Sequence, residues 1–243
     1  MQKRDRIDRL LVERGLFESR AKAQAAIEAG LVHAGDALVR KASEEIAVDA
    51  PLRASPAHPY VSRGGVKLAA ALDHFGFDPK GRICLDVGAS TGGFTQVLLE
   101  RGAKRVIAVD VGRGQLHASL RARPQVVSLE ETDIRNLPPA RLGEAPDLIT
   151  IDTSFISLKL VLPAALALAK TPSQLVALIK PQFEAGRAAL KKGVVRDKAI
   201  HTTVCTDITD FVSSLGWRVL GVIPSPIAGG DGNVEFLLGA AHD

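Results

Sequence analysis

The sequence predicts an α/β protein in which a small α+β unit precedes a doubly wound, mostly parallel sheet of seven strands. From residue 83 onward, apolar runs without polar alternation are separated by helical segments. This pattern is typical of strands that are covered on both faces by helices. The first fifty residues instead combine two short amphipathic segments with short strands around a Gly35-Asp36 turn. The chain is therefore expected to hold two domains.

The N-terminal domain is expected to span residues 1–55. Apolar residues at helical spacing predict two short helices within residues 6–29. Ser19 is the expected N-cap of the second helix and Gly30 the glycine that follows its end. The remaining elements are short strands, expected at 31–33, 37–39 and 46–48.

An irregular linker and a larger domain are expected to follow. Prolines disfavour helix and central strand between residues 53 and 60, and the linker is placed at 56–63. The domain at 64–243 should contain strands at 83–87, 105–109, 126–129, 148–151, 175–179, 217–223 and 234–238. Helices are expected near 94–101, 158–169 and 201–215. A glycine-rich turn joins the last two strands, which should therefore pair as an antiparallel hairpin.

Composition limits the function classes. The chain has 243 residues, 46% of them hydrophobic, which is ample for a packed core. Its net charge of +4 is compatible with a polyanionic partner but does not identify one. Two cysteines suggest neither a metal cluster nor a disulfide framework, so no metal and a cytoplasmic location are expected. The longest apolar run, at 160–169, is well short of the ~20 residues that cross a bilayer, so no membrane association is expected.

The most informative segment is the glycine-rich turn after the first strand of the larger domain. Glycines at 88, 92 and 93 allow a ligand to approach the backbone, and the helix that follows directs unpaired N–H groups toward it. Asp110 lies 24 residues after Asp86, where a carboxylate can accept both ribose hydroxyls of a nucleoside. The G-x-x-x-G-G spacing differs from the dinucleotide fingerprint and disfavours a dehydrogenase. An ordinary tight turn remains the alternative.

This segment resembles motif I of the S-adenosylmethionine methyltransferases, and the fold it implies is the Rossmann-like class I methyltransferase fold. The resemblance implies S-adenosylmethionine as the cofactor. The cofactor-binding residues it implies are Asp86, Gly88, Ser90, Thr91, Gly92, Gly93, Phe94, Asp110, Val111, Asp133 and Ile134. Asp133 and Ile134 would face the adenine edge, although an aspartate that merely forms a turn is an open alternative there.

Four charged residues lie beside apolar strands or in the helix before the first strand. They are Lys67, Asp152, Lys180 and Glu235. A charge next to a buried strand needs a partner, so two independent salt bridges at the sheet rim would explain them. In their order, however, they resemble the catalytic tetrad of the FtsJ-type ribose 2′-O-methyltransferases.

The N-terminal domain carries its own resemblance. The first 25 residues contain seven Lys or Arg against four acids. The order of residues resembles that of the S4-like alpha-L RNA-binding module. Ala34 departs from that module, which usually has asparagine before the glycine. A solvated helix face, which would also be basic, is the alternative. The module implies RNA contacts by Arg6, Arg9, Arg20 and Lys22. A second basic loop, at 182–197, adds Arg187, Lys191 and Lys192, and Phe183 could stack on a displaced base. A solvated connection with Phe183 in the core is the alternative.

Together these motifs resemble the hemolysin-A-type ribosomal RNA methyltransferases over nearly the full chain. The resemblance implies methylation of a cytidine ribose in the RNA of the small ribosomal subunit (16S) and in some members of the large subunit (23S). We expect Lys180 to receive the hydroxyl proton, Asp152 to orient Lys180, and Lys67 with Glu235 to place the ribose. The two acids and the second lysine act oppositely on Lys180, so its protonation state stays open. A non-catalytic RNA-binding assembly factor and a cytolysin are the alternatives.

Overall fold

The computed structural model describes residues 3–229 and 232–243, with only the backbone described at Arg187. The chain divides into two compact units, Met1–Pro59 and Tyr60–Asp243. Each unit has a hydrophobic core of its own.

The first unit contains two helices and five short strands. In chain order these are β1 (Arg4–Arg6), α1 (Ile7–Glu13), α2 (Arg20–Glu28), β2 (Val32–Ala34), β3 (Ala37–Leu38), β4 (Glu45–Ala47) and β5 (Leu52–Ala54). Strand β1 pairs with β4, and β2 lies between β3 and β5, all antiparallel. Both predicted caps of α2 are confirmed, since the backbone N–H of Lys22 donates to Ser19 Oγ and Gly30 has a left-handed φ of 71°.

Two strands of this unit were not expected from the sequence. Strand β1 consists of charged residues, so no apolar pattern in the sequence indicates it. Strand β5 overlaps the start of the segment 53–60, where the prolines predict irregular chain. It tolerates the nearby prolines because it is an edge strand that pairs only with β2.

The second unit alternates strands and helices. Its helices are α3 (Gly64–Phe75), α4 (Gly93–Glu100), α5 (Ala118–Arg121), α6 (Leu158–Leu166), α7 (Pro181–Glu184) and α8 (Lys198–Ser214). Its strands are β6 (Ile83–Val87), β7 (Arg105–Val109), β8 (Val126–Leu129), β9 (Leu148–Ile151), β10 (Ser173–Ile179), β11 (Arg218–Pro224) and β12 (Phe236–His242). Single 3₁₀ turns lie at Ile134–Asn136, Pro139–Arg141 and Arg187–Ala189.

These strands form one seven-stranded sheet in the order β11-β12-β10-β9-β6-β7-β8. Strands β6 to β10 are mutually parallel, and β12 is antiparallel to both of its neighbours. The predicted fold class and the terminal hairpin are thus confirmed. The last strand begins at Phe236 rather than at 234, because Val234 is largely exposed and the buried run extends through Ala241.

The sheet is buried on both faces, which explains the continuous apolar strands. Alternate residues of β6 enter opposite cores, with Leu85 and Val87 on one face and Cys84 on the other. Helices α6 and α8 cover the first face, and α3 and α4 cover the second. Over the part of the chain that the structure describes, no helix has both the length and the hydropathy of a membrane span.

Candidate functional site

The carboxyl ends of the parallel strands meet at one edge of the sheet, where two adjoining cavities lie. The larger has a volume of about 520 Å³ and the smaller about 170 Å³. Gly88, Ser90, Asp152 and Ser154 line both of them, so the two form one groove. Ligand sites of α/β sheets are typically found at this edge.

The larger cavity lies beyond the ends of β6, β7, β8 and β9 and has the size of a typical small-molecule site. Its wall combines polar and apolar side chains. The predicted residues Asp110, Val111, Asp133 and Ile134 all contribute to it, together with Gln115, Arg135 and Phe155. The structure therefore brings these four predicted cofactor residues into one cavity.

The turn after β6 is shaped by its glycines. Gly88 and Gly92 have φ values of 81° and 99°, in the left-handed region. A Cβ at Gly88 would collide with the backbone oxygen of Asp152, and one at Gly92 would collide with the side chain of Leu120. The turn therefore needs glycine at both positions. Of the predicted residues that follow, Thr91, Gly93 and Phe94 line the smaller cavity, while Gly92 lines neither.

Asp110 is fixed at the end of β7 by two backbone donors. Its Oδ2 accepts from the N–H of Ser90 at 2.8 Å, and its Oδ1 accepts from the N–H of Gly112 at 2.7 Å. Each carboxylate oxygen can accept two hydrogen bonds. The side chain therefore keeps capacity for two further donors, such as the hydroxyls of a ribose.

Asp133 combines the two roles considered for it from the sequence. Its carboxylate caps the 3₁₀ turn by accepting from the N–H of Arg135 at 2.9 Å, and it lines the larger cavity. The Arg135 guanidinium also donates to it at 2.6 Å. These bonds to Arg135 lower the pKa of Asp133. The neighbouring Ile134 is buried and lines the same cavity.

Asp86 lies beneath the glycine turn and lines neither cavity. The residue is fully buried, and its carboxyl accepts from Thr95 Oγ1 at 2.6 Å and from Thr150 Oγ1 at 3.1 Å. Burial raises the pKa of Asp86 to about 7, although the bond from Thr95 opposes this. Asp86 thus joins the turn, α4 and β9 from below, and its side chain forms no part of the cavity wall.

Glu130 supports the larger cavity and was not foreseen from the sequence. Its carboxylate accepts from the backbone N–H groups of Gly114, Gln115 and Leu116 at 2.6 to 3.0 Å. These bonds, that of Leu116 first, lower the pKa of Glu130. The carboxylate thereby holds the loop that places Gln115 in the cavity wall. Its position directly after a predicted strand was the signal that could have revealed it.

The four charged residues at the strand ends form two ion pairs, of which the Lys67–Glu235 pair is buried and the Lys180–Asp152 pair is partly buried. Lys180 Nζ lies 2.6 Å from Asp152 Oδ1, and Lys67 Nζ lies 2.5 Å from Glu235 Oε2. The last ladder pair of β10 and β12 is Ile179↔Phe236, so Lys180 and Glu235 are adjacent at this sheet edge. Only Lys180 and Asp152 line the smaller cavity. The structure thus contains the two salt bridges of the first interpretation, and it also brings all four residues to one edge of the sheet, as the second requires.

Two further residues brace these pairs. Lys180 Nζ donates to Ser154 Oγ at 2.8 Å. Glu184 accepts from the N–H of Leu158 at 2.8 Å and from Ser157 Oγ at 2.5 Å, so it ties the segment after Lys180 to the segment after Asp152. Over residues 3–229 and 232–243, no three His, Cys, Asp or Glu side chains converge as metal ligands.

An exposed aromatic ring stands at the rim of the groove. Phe155 is 90% exposed, has a left-handed φ of 64°, and lines the larger cavity. Its ring centroid lies 5.0 Å from that of Phe183, which was the predicted stacking residue and is only partly exposed. Phe155 is therefore the more accessible ring. An aromatic residue in a polar loop after a strand was the available signal.

The predicted basic loop is anchored from the second unit's last hairpin. Asn233 Oδ1 accepts from the N–H of Val195, and Asn233 Nδ2 donates to the oxygen of Gly193, both at 3.2 Å. Lys191 and Lys192 are exposed on this loop, whereas the side chain of Arg187 lies outside the described part of the chain. The predicted turn at 229–233 is described only in part, because residues 230 and 231 are not described.

In the first unit, each predicted RNA-binding residue is paired with an acid. Arg6 and Arg20 both contact Asp8. Arg9 lies 3.6 Å from Asp5, and Lys22 lies 2.5 Å from Glu18.

Comparisons with known proteins agree over almost the whole chain. The family described as FtsJ-like methyltransferase matches residues 60–242. The chain is 48% identical over 240 residues to the rRNA methyltransferase YqxC of Bacillus subtilis, covering 97% of this chain and 85% of that protein. It is 44% identical over 241 residues to the 16S/23S rRNA (cytidine-2′-O)-methyltransferase TlyA of Mycobacterium tuberculosis, covering 98% and 90%. A solved hemolysin-type structure from Streptococcus thermophilus has 42% identity and a TM-score of 0.79, covering 100% and 90%.

Proposed function

Because the chain belongs to the family of FtsJ-like methyltransferases, we propose that it methylates the 2′-hydroxyl of a cytidine in ribosomal RNA. The proposed substrate is the RNA of the small ribosomal subunit (16S), with the large subunit (23S) as a second proposed substrate, as both are named for the M. tuberculosis relative. The cofactor is S-adenosylmethionine. A ribosomal substrate also supports a cytoplasmic location for the protein.

The groove fits this cofactor in size and chemistry. When bound, S-adenosylmethionine supplies an electrophilic methyl group on a sulfonium sulfur. Asp110 would hold the ribose hydroxyls, and the apolar side chains of Val111 and Ile134 would hold the adenine. The glycine turn and the first turn of α4 would hold the methionine end in the smaller cavity, beside Lys180.

Lys180 is the residue we assign to the proton of the ribose hydroxyl. Asp152 Oδ1 and Ser154 Oγ each lie within hydrogen-bond distance of its Nζ. The ion pair with Asp152 and the hydrogen bond to Ser154 together hold Nζ at the wall of the smaller cavity. A neutral amine held in this way can accept a proton at Nζ from a hydroxyl in the smaller cavity.

The second ion pair is assigned to placement of the substrate. Lys67 and Glu235 are both buried and fix each other's position next to Lys180. Removing one partner of such a pair would leave the other as an uncompensated buried charge. Phe155 is placed to stack on a nucleotide base that leaves its helix to reach the groove.

Binding of the RNA is assigned to the first unit and to the basic loop. Arg6, Arg9, Arg20 and Lys22 of the first unit, with Lys191, Lys192 and Arg187 of the loop, are the proposed phosphate contacts. The first unit is proposed to be an S4-like RNA-binding domain, in keeping with its two helices, its short strands and its basic composition.

The observation that carries the proposal is the Lys180–Asp152 pair, which is held at a strand-end cavity in this fold. It is tested by incubating purified ribosomal subunits with S-adenosylmethionine and the protein and mapping ribose methylation by mass spectrometry. We expect Lys180→Ala to reduce the methylation rate by about 100-fold or more with nearly unchanged cofactor affinity. Lys104→Ala, which removes an exposed lysine, is the matched control. Methylation of a base, or near-normal turnover of Lys180→Ala, would contradict the proposal.

A further inference from the structure

Asp8 of the first unit is a fully buried carboxylate that collects five donors. Its Oδ1 accepts from Arg6 Nε at 3.1 Å, and its Oδ2 accepts from Arg6 Nη2 at 3.0 Å. Oδ2 also accepts from Nη2 and Nε of Arg20 at 2.6 and 3.2 Å, and from Gln24 Nε2 at 3.1 Å. Two guanidinium groups thus converge on one oxygen and lie side by side.

Both guanidinium groups bind Asp8 through the edge formed by Nε and Nη2, and the edge that carries Nη1 does not contact Asp8. Their side chains are 42% and 53% exposed, whereas that of Asp8 is fully buried. Every hydrogen bond of the two guanidiniums within the described residues runs through Nε or Nη2 to Asp8. Within the described part of the chain the two Nη1 atoms donate no hydrogen bond, so each can donate to a ligand.

This arrangement differs from an ordinary surface salt bridge. The bonds from Arg6 hold the pKa of Asp8 well below its usual range, so the carboxylate stays charged. One anion then fixes two cations, and the outer surface keeps a net positive charge. An arginine side chain normally loses much rotational freedom when it binds a phosphate, and a pinned arginine has lost it already.

We propose that Asp8 is a positioning residue for RNA docking, which holds Arg6 and Arg20 so that their outer edges meet neighbouring phosphates of folded RNA. This inference rests on the proposed RNA-binding function of the first unit. RNA is the partner that the charges favour, because basic residues outnumber acids seven to four over the first 25 positions. The planar guanidinium also matches the geometry of a phosphate.

The test depends on whether Asp8→Asn strengthens or weakens RNA binding. Asp8→Asn removes a negative charge from a basic surface, which by charge alone should tighten RNA binding. If Asp8 orients the two arginines, binding of the full-length protein to purified ribosomal subunits should instead weaken, by about five- to tenfold in Kd. Asp5→Asn is the matched control, since Asp5 pairs with Arg9 at 3.6 Å and is partly exposed. We expect the control to bind as tightly as the wild type or more tightly.

A charge-conserving substitution keeps the proposal testable if Asp8→Asn does not fold. Arg20→Lys retains the positive charge but cannot make the two-pronged bond to Asp8. We expect it to weaken binding severalfold, whereas Arg53→Lys, at an exposed arginine of the same unit that pairs with Asp36, should have little effect. In methylation assays the loss should appear in KM for the subunits with kcat unchanged, because the reaction groove is in the other unit.

The outcomes separate this inference from the function on which it rests. If Arg6→Ala with Arg20→Ala leaves subunit binding unchanged, this surface does not bind RNA and both fail. If that double variant binds weakly while folded Asp8→Asn and Arg20→Lys bind like the wild type, the surface binds RNA by charge alone. In that case the positioning role of Asp8 is overturned and the RNA-binding function stands.

Discussion

Within residues 3–229 and 232–243, each unit buries one aspartate completely, and the two side chains behave in opposite ways. Asp8 in the first unit is surrounded by cationic donors, whose bonds lower its pKa. Asp86 in the second unit is bonded by two threonine hydroxyls and no cation, and burial raises its pKa to about 7. The same residue type at the same exposure is thus held charged in one region and nearly neutral in the other.

The difference in pKa between Asp8 and Asp86 indicates the role of each carboxyl. A charged carboxylate can orient cations at a surface, and Asp8 lies beneath the arginines proposed to meet RNA. A carboxyl close to neutrality can fill a polar position under a backbone turn without a buried counterion. Asp86 occupies such a position under the glycine turn. Burial raises the pKa where no cationic donor opposes it, as at Asp86, and the guanidinium donors reverse its effect at Asp8.

The largest expected effect comes from Asp86→Asn. Because the pKa of Asp86 is about 7 in the folded protein and near 4 when unfolded, wild-type stability falls as the pH rises through this range. An amide does not titrate, so the stability of the variant relative to the wild type should increase by roughly 3 kcal/mol between pH 5 and 8. Urea denaturation followed by fluorescence of Trp217, the single tryptophan, measures it in this unit.

Asp73→Asn is the matched control for this measurement. Asp73 is paired with Arg101, whose bond lowers its pKa, so the difference from the wild type should stay flat above pH 5. An equally flat difference for Asp86→Asn would break the contrast between the two buried aspartates.

A smaller change in stability, independent of pH, is expected from Asp8→Asn. The lowered pKa means that the stabilisation by Asp8 is present above about pH 4 and is lost only in strong acid. The variant should therefore lose about 1 kcal/mol of stability, with no change between pH 5 and 9. Hydrogen exchange of the amides in α1 and α2 reports on this unit. A loss that varied strongly with pH over that range would show that Asp8 titrates like Asp86.

The smallest effect extends the comparison to a carboxylate near the surface. Glu130 accepts from three backbone N–H groups, that of Leu116 first in lowering its pKa, and the Arg121 guanidinium lies 3.9 Å away as a weaker ion-pair partner. Glu130→Ala should loosen the loop that carries Gln115 and weaken binding of S-adenosylhomocysteine by about threefold, measured by calorimetry. The adjacent Glu131→Ala removes an exposed acid and should have no effect. Equal effects of the two substitutions would remove the role assigned to Glu130.

The sequence predicted the parts of the fold that periodicity controls. The five parallel strands were recognised because both of their faces are buried, and the parallel order follows from the intervening helices. Strand β1 was missed because its side chains are polar, and β5 because prolines next to an edge strand look like irregular chain. Neither β1, which is fully polar, nor the edge strand β5 has an apolar pattern from which it could be predicted.

The site was predictable where a residue lies at a strand end. Asp110, Lys180 and Asp152 follow predicted strands, and the structure places all three on the groove. Asp86 shows the limit, because a motif position does not reveal whether the side chain faces the cavity or the layer below it. Glu184 depends on a backbone N–H group that only the folded loops bring close, so spacing alone could not identify it, whereas Glu130 directly follows a predicted strand and that position could have revealed it.

Strand β12 is antiparallel to both of its neighbours. This direction places Glu235, which precedes β12, at the same edge of the sheet as Asp152 and Lys180, which follow parallel strands. A residue that precedes an antiparallel strand lies at the same edge as residues that succeed parallel ones. The joint between β10 and β12 must therefore keep its alignment, because a slip by one residue would turn every side chain to the opposite face. Homologous chains should accordingly vary in the length of the hairpin after β11, while the spacing from Glu235 to the end of β12 stays constant.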